Sequence, residues 1–289
     1  MSERVTRFQD LLARHPVIAA PGAYDALSAR VIAQAGYPLV YITGLGNEAS
    51  DLGFPDLGLT TATEIARRAG NIAQCVDLPV VCDADTGFGG AVNVARTVRQ
   101  FEAAGVAAIH LEDQTFPKRC GVLAGKTVVP PETFARTLEI ALAARRGTDF
   151  AIIARTDAKG ADGVDGVIAR LQRYAQAGVH ALMLGDLYTP DEYARIAAAV
   201  SLPLIACAAD PDHLDQQPDL TLAQWQAAGV RMVVYWHLPL FAAMRAVHDA
   251  VTALARDGSA AAVADRVPGY GEYARVVDLE RWLRLDDAR

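Results

Sequence analysis

Cysteine is scarce and scattered in this sequence: Cys75, Cys82, Cys120 and Cys207 are its four, and no two stand in a C-x-x-C spacing. That usage gives no support for a structural zinc site and fits a reducing compartment. A basic cluster is also missing and the net charge is −7. Nucleic acid is therefore not expected as a partner, because neutralising phosphates takes dense Lys and Arg. No uninterrupted apolar run reaches the roughly 18 residues of a membrane span. The opening stretch, MSERVTRFQDLLARHP, is broken by charges and reads as an amphipathic helix, not a secretory leader. No G-x-G-x-x-G follows the first apolar run, which speaks against a dinucleotide-binding doubly wound sheet. No linker, low-complexity stretch or charge block divides the 289 residues. The expectation is a cytoplasmic protein without a membrane or nucleic-acid partner.

What the sequence does contain is repetition. Eight short apolar, β-branched runs recur: PVIAAPG (16–22), PLVYITG (38–44), LPVVCDAD (78–85), AAIHLED (107–113), FAIIARTD (150–157), HALMLGD (180–186), LPLIACAAD (202–210) and RMVVYWH (231–237). Segments such as NVARTVRQFEAAG, with apolar residues at helical spacing and a terminal Gly, lie between them. Near-continuous apolar strands are buried on both faces, as in a parallel sheet covered by helices. Eight βα units is the count of a TIM (β/α)8 barrel, here placed at residues 1–257 as the catalytic domain. Residues 258–289 form a helical extension that packs on the barrel or on a neighbouring subunit.

In such barrels chemistry sits where strands end and loops begin. The run ends concentrate polar residues: Tyr41, Thr43 and Gly44; Asp83 and Asp85; Glu112; Arg155; and His237. Asp83 and Asp85 flank one residue and so share a face of an extended strand. With Glu112 on the adjacent strand they suit a hard cation such as Mg²⁺, which accepts one or two carboxylates and keeps several waters. The other reading is that they cap a helix or pair with basic residues. Lys118 and Arg155 place positive charge opposite, and Arg155 is suited to stabilise charge developing in a transition state, unless it serves as a structural ion pair. Thr43 and Gly44 offer backbone N–H groups to a carboxylate.

YITG, DADTGFGG, HLEDQ, PKRCG and IIARTDA, in this order, resemble the isocitrate lyase/phosphoenolpyruvate mutase superfamily over about residues 8–255. Within it the 2-methylisocitrate lyase and carboxyphosphonoenolpyruvate mutase branch is most similar. The resemblance implies a TIM barrel whose last helix is exchanged between subunits, giving a homotetramer built as a dimer of dimers. It implies Mg²⁺, with Mn²⁺ as the other candidate, and a small carboxylic-acid substrate. By motif, Asp85 and Asp83 would hold the metal, with Glu112 reaching it through water. Tyr41, Thr43, Gly44 and Arg155 would hold a pyruvate-like half, with Asp56 near the metal and Gly121 in the substrate-binding loop.

The lyases of that family carry a Lys-(Lys/Arg)-Cys-Gly-His loop, and Cys120 matches the cysteine that exchanges a proton with the leaving enolate. Lys118, Arg119 and Lys126 are expected to draw its pKa down from about 8.5; a free thiol in a basic loop is the other reading. Val122 stands where the lyases have His. Gly185 replaces a Glu, with Asp186 adjacent as a substitute; Cys207 replaces an Asn and Ala209 a Thr. Losing several polar groups from one subsite implies that the half of the site away from the pyruvate end is rebuilt for something smaller or less polar. His237 resembles a histidine of the family's oxaloacetate decarboxylases, and it either serves the leaving group or bonds a rim carbonyl. His110 is read as a strand residue, His180 as a strand start, and His15, His213 and His248 as surface or loop residues. The leading expectation is a Mg²⁺-dependent carbon–carbon lyase acting on a 2-hydroxy or 2-oxo acid, with Cys120, Arg155, Lys118 and His237 as catalytic candidates. Its rivals are an oxaloacetate decarboxylase, a phosphonopyruvate mutase or hydrolase, and a binding protein without turnover.

Overall fold

A computed structural model describes residues 8–287. The eight apolar runs become eight parallel strands: β1 (Ile18–Ala23), β2 (Val40–Ile42), β3 (Val80–Asp83), β4 (Ala108–Glu112), β5 (Ala151–Thr156), β6 (Ala181–Leu184), β7 (Leu204–Cys207) and β8 (Val230–Tyr235). They close in sequence order into a barrel, with β8 pairing β1. The helices in chain order are α1 (Phe8–Arg14), α2 (Ala26–Gln34), α3 (Gly44–Leu52), α4 (Ala62–Cys75), α5 (Ala91–Ala104), α6 (Pro131–Ala144) and α7 (Lys159–Gln176). They continue with α8 (Pro190–Ala199), α9 (Leu222–Ala227), α10 (Leu238–Asp257), α11 (Tyr270–Val276) and α12 (Leu279–Asp287). This is the TIM barrel expected from the strand count.

Local chemistry sets many of the helix starts. Asp25 with Ser28, Thr61 with Glu64, Thr189 with Glu192 and Thr221 with Gln224 form reciprocal capping boxes, which satisfy donors that the first helical turn leaves free. Inside the barrel, Ile18, Val81, Ile153, Met183, Ile205 and Met232 pack in one cluster with Phe8, Leu11 and Leu12, so α1 lays its apolar face on the barrel interior. Arg231 ties α1 down by donating to the carbonyls of Leu12 and His15. The expected N-terminal helix is thus present from Phe8; residues 1–7 of that expectation lie outside the described residues.

Beyond the barrel, α11 lies on α2, where Arg30 and Gln34 donate to carbonyls at Arg275 and Val276. The 20-residue α10 is apolar enough on average, at mean hydropathy 1.2, to cross a membrane by length and composition. The expectation of no span rested on uninterrupted runs, and Arg245 and Asp249 do interrupt this one. Its Met244, Val247, Val251 and Leu254 are exposed.

Candidate active site

Strand register builds the site. Asp83 pairs with His110 across β3 and β4, and Glu112 pairs with Arg155 across β4 and β5. Arg155 Nη1 lies 3.1 Å from Glu112 and 3.8 Å from Asp83. Its Nε and Nη2 donate side by side to Asp157, at 2.8 and 3.0 Å. Lys118 is buried between Asp56, to which it donates, and Asp85, at 2.9 Å. His110, read from the sequence only as a strand residue, belongs here too. Its Nε2 meets the Tyr41 hydroxyl at 3.0 Å, and its Nδ1 stands 3.5 Å from Asp83. A signal existed: His110 and Glu112 alternate by two on one strand and so share a face.

Burial dominates the electrostatics. It opposes ionisation of Asp83, yet His110, Arg155 and Lys118 outweigh it and hold that carboxyl at about 2. For Asp85 burial wins, helped by Asp83 and Asp56 against Lys118, and the group rises to about 7. Burial likewise pushes Glu112 up, and lowers His110 to about 4. Asp85 sits in the left-handed region, at φ 44°, a conformation that costs a non-glycine residue roughly 1–3 kcal/mol. It is held there by its own N–H on Asp83 and by the Glu112 N–H on its carbonyl. Gly44 opens α3 directly against this pair: a Cβ at that position would come within 2.6 Å of Asp83 Oδ2.

These residues fit a divalent cation. Asp85 Oδ1 and both Glu112 oxygens are buried without a hydrogen bond, although Lys118 and Arg155 stand at ion-pair distance. Among the described residues no three His, Cys, Asp or Glu side chains form a ready metal cage, in keeping with the expectation that Glu112 would reach the cation through water and not as a direct ligand. A Mg²⁺ ion that takes one or two carboxylates and keeps its waters needs no such cage.

Glu48, missed in the sequence, anchors the loop that carries Asp56. Its buried carboxylate accepts hydrogen bonds from the N–H groups of Leu57, Leu59 and Thr60 and from the Thr60 hydroxyl. Nothing in its local pattern, mid-helix in α3, marks this role.

The cysteine loop is fastened on the other side. Gln114 bonds both the N–H and the carbonyl of Arg119. Lys126 donates to the Gly121 carbonyl, to Asp186 at 2.5 Å and to Asp157 at 3.2 Å. Two expectations are corrected here. Cys120 is pushed up to about 12, not drawn down, because burial and the hydrogen-bonded Asp56 carboxylate outweigh Lys118. Arg119 and Lys126 are not turned on the thiol, since carbonyls and carboxylates occupy them. Asp186, engaged by Lys126 and the Lys159 N–H, does not stand in for the glutamate missing at Gly185.

An open pocket of about 420 Å³, its solvent-filled mouth included, joins these parts, and its polar lining is Tyr41, Thr43, Asp56, Asp83, Cys120 and Arg155. Gly121 and Gly185 also line it, and both must lack a side chain. A Cβ on Gly121 would meet the Gly185 carbonyl at 2.6 Å, and one on Gly185 would meet Arg155 and Asp157 at 2.5 Å. Gly44, Asp85, Glu112 and Lys118 sit around this space without lining it. His237 is not in it. It packs edge-on against Trp236, which does line the space, and against Phe241, with its Nδ1 buried and unpartnered. His237 thus stands one residue from the lining, behind Trp236.

The chain matches the phosphoenolpyruvate phosphomutase family model over residues 8–255. It is 38% identical to 2,3-dimethylmalate lyase of Eubacterium barkeri, over 95% of this chain and 94% of that protein. It is 42% identical to a probable 2-methylisocitrate lyase of Corynebacterium glutamicum, over 89% and 82%. Among solved structures, oxaloacetate acetylhydrolase bound to 3,3-difluorooxalacetate superposes with a TM-score of 0.91 at 32% identity, covering 98% of this chain and 95% of that one. A phosphonopyruvate hydrolase solved with oxalate and Mg²⁺ superposes at 0.85 and 31%, covering 97% and 96%.

Proposed function

Because the chain belongs to the phosphoenolpyruvate mutase/isocitrate lyase superfamily, and carbon–carbon lyases are among its relatives, we propose that it is a Mg²⁺-dependent lyase of 2-hydroxy acids. It cleaves the C2–C3 bond and releases a 2-oxo acid of pyruvate type. The observation that carries this reading is the meeting of Cys120, Arg155 and Asp83 on one pocket.

Asp85 and Asp83 would hold the cation, with Glu112 beside them; when bound it supplies Lewis acidity to the substrate's oxygens. Tyr41, Thr43 and Arg155 bind and orient the 2-oxo-acid half, and Arg155 Nη1 faces the charge that develops there. As the hydroxyl proton passes to solvent water, the C2–C3 electron pair passes into the carboxylate on C3. Cys120 then delivers its Sγ proton to C3. A thiol held protonated suits that step, since general-acid catalysis in the cleavage direction starts from the acid form. Asp56 positions the thiol, and Lys118 steadies Asp56.

An oxaloacetate carboxy-lyase is the second reading, favoured in the sequence by His237 and by the loss of polar groups from the far subsite; His237 itself packs against Trp236 and Phe241. The test is pyruvate release with Mg²⁺, coupled to lactate dehydrogenase, from 2,3-dimethylmalate, 2-methylisocitrate and oxaloacetate, the last corrected for metal-only decarboxylation. Pyruvate from a 2-hydroxy acid is the expected result. Pyruvate from oxaloacetate alone would replace the proposal with the carboxy-lyase. Asp85→Ala is expected to remove turnover of every substrate.

We propose further that the enzyme is cytoplasmic, in keeping with four free cysteines. It assembles as a homotetramer of helix-swapped dimers, a neighbouring subunit covering the exposed apolar residues of α10. A monomer mass in sedimentation equilibrium would remove the second statement.

A further inference from the structure

The apolar part of the pocket lining is Leu45, Val122, Leu187, Cys207 and Trp236. None of the five side chains offers a free hydrogen-bond donor stronger than a thiol. Leu45, Val122 and Leu187 are aliphatic, and the Trp236 indole N–H is spent on the Ala208 carbonyl at 2.9 Å. Cys207 is buried and carries only a thiol. Val122 and Leu45 pack against the barrel-interior cluster that contains Cys207 and Trp236, so the wall is continuous with the hydrophobic core.

The stronger donors nearby are committed elsewhere. Gln217 gives its amide to the Cys207 carbonyl and accepts from the Tyr188 N–H and the Tyr193 hydroxyl. Lys126 is shared among Gly121, Asp157 and Asp186. Lys159 is held by the Leu187 carbonyl and Glu192. Arg155 keeps two of its nitrogens on Asp157 and turns the third to Glu112 and Asp83. A carboxylate pressed on this wall would lose its water and gain no partner, which is costly for a charge.

We infer that this wall is an alkyl subsite: the substrate is a malate-type 2-hydroxy dicarboxylate whose C3 bears an alkyl group, and a third carboxylate on that arm is excluded. The inference rests on the lyase reading above and names its substrate class. The chemistry balances. The C2 hydroxyl gives its proton to solvent water, the C2–C3 pair moves into the single C3 carboxylate, C3 takes the Sγ proton of Cys120, and water returns a proton to the thiolate. A 2-oxo acid and an alkyl-substituted monocarboxylate leave, with no other reactant required.

Two probes isolate the wall. 2,3-Dimethylmalate and 2-methylisocitrate share C1, C2 and the C3 carboxylate, and differ only in a methyl against a carboxymethyl on C3. With the full chain and Mg²⁺, kcat/KM for dimethylmalate is expected to exceed that for methylisocitrate by at least about 100-fold. The double variant Val122→His, Cys207→Asn is expected to shift this ratio at least about tenfold toward methylisocitrate. Equal or reversed preference in the wild type would overturn the alkyl subsite and leave the lyase reading standing. Absence of pyruvate from both probes would overturn the lyase reading. Calorimetric titration of both into the Mg²⁺-loaded wild type would then decide the wall alone: tighter dimethylmalate supports it, and tighter methylisocitrate overturns it.

Discussion

Replacing Glu48 by Gln changes one atom and tests the support of the whole metal side. One carboxylate oxygen of Glu48 accepts from the Leu59 N–H at 2.7 Å and from the Thr60 N–H and hydroxyl at 3.1 Å; the other accepts from the Leu57 N–H at 3.0 Å. A glutamine carbonyl can keep the first three, without their charge assistance, but turns its own N–H group toward Leu57. Charge-assisted bonds are roughly twice as strong as neutral ones, and a buried donor left unmade costs about 1–3 kcal/mol. Two of the four bonds are fully buried, so the loss should be about 3 kcal/mol. For a chain of this size that lowers Tm by about 6–12 °C. Because the released loop carries Asp56, which bonds both Lys118 and the Cys120 thiol, kcat should fall about tenfold while KM changes little. Differential scanning calorimetry and the coupled pyruvate assay read the two effects. An unchanged Tm would show that other contacts hold the loop. A lowered Tm with full kcat would show that Asp56 does not position the thiol.

Cys120→Ser should cut kcat for a 2-hydroxy acid by about 10²–10⁴, the usual weight of a general acid, and retained activity would remove Cys120 from the proton step. His237→Gln should leave kcat/KM within about threefold, as expected of a side chain that packs behind Trp236 and touches no reacting atom; a large loss would place the ring in the site and favour the carboxy-lyase. Burial raises Asp85 to about 7 from an ordinary 3.8. Without metal, the native state therefore holds this proton more tightly than the unfolded chain between those values, and the group's contribution to stability falls as pH rises through the window. Mg²⁺ requires the ionised carboxylate, so its stabilisation, read as a Tm increase, should be larger at pH 8 than at pH 5.5. Equal increases would refute the assignment of Asp85 as a ligand.

The barrel was legible because each strand is buried on both faces and reads as an apolar run, and the rim was legible because polar residues, His110, His180 and Arg231 apart, gather at the C-terminal ends of the runs. Asp83, Asp85, Glu112 and Arg155 were found this way. What escaped depends on long-range closure. Glu48 matters through a loop that folds back from residues 57–60, and no local spacing reports that return. His237 ends its strand as a rim residue should, yet Trp236 takes the lining position and the imidazole turns to Phe241.

The sharpest difference concerns the thiol, and it bears on mechanism. Counting neighbours along the chain finds Lys118, Arg119 and Lys126 beside Cys120 and argues for a thiolate. In three dimensions Lys118 is neutralised by Asp56 and Asp85, Arg119 bonds the Ala124 carbonyl, and Lys126 pairs with Asp186. With every cation spoken for, burial and the nearby Asp56 carboxylate decide, and both favour the protonated thiol. A thiolate at rest would suit a base or a nucleophile; a thiol at rest suits an acid. Cleavage of a C2–C3 bond with the charge collected on a carboxylate needs an acid at C3. The ion pairs that fasten the loop over the pocket are thus the same ones that keep the proton available for the cleavage direction.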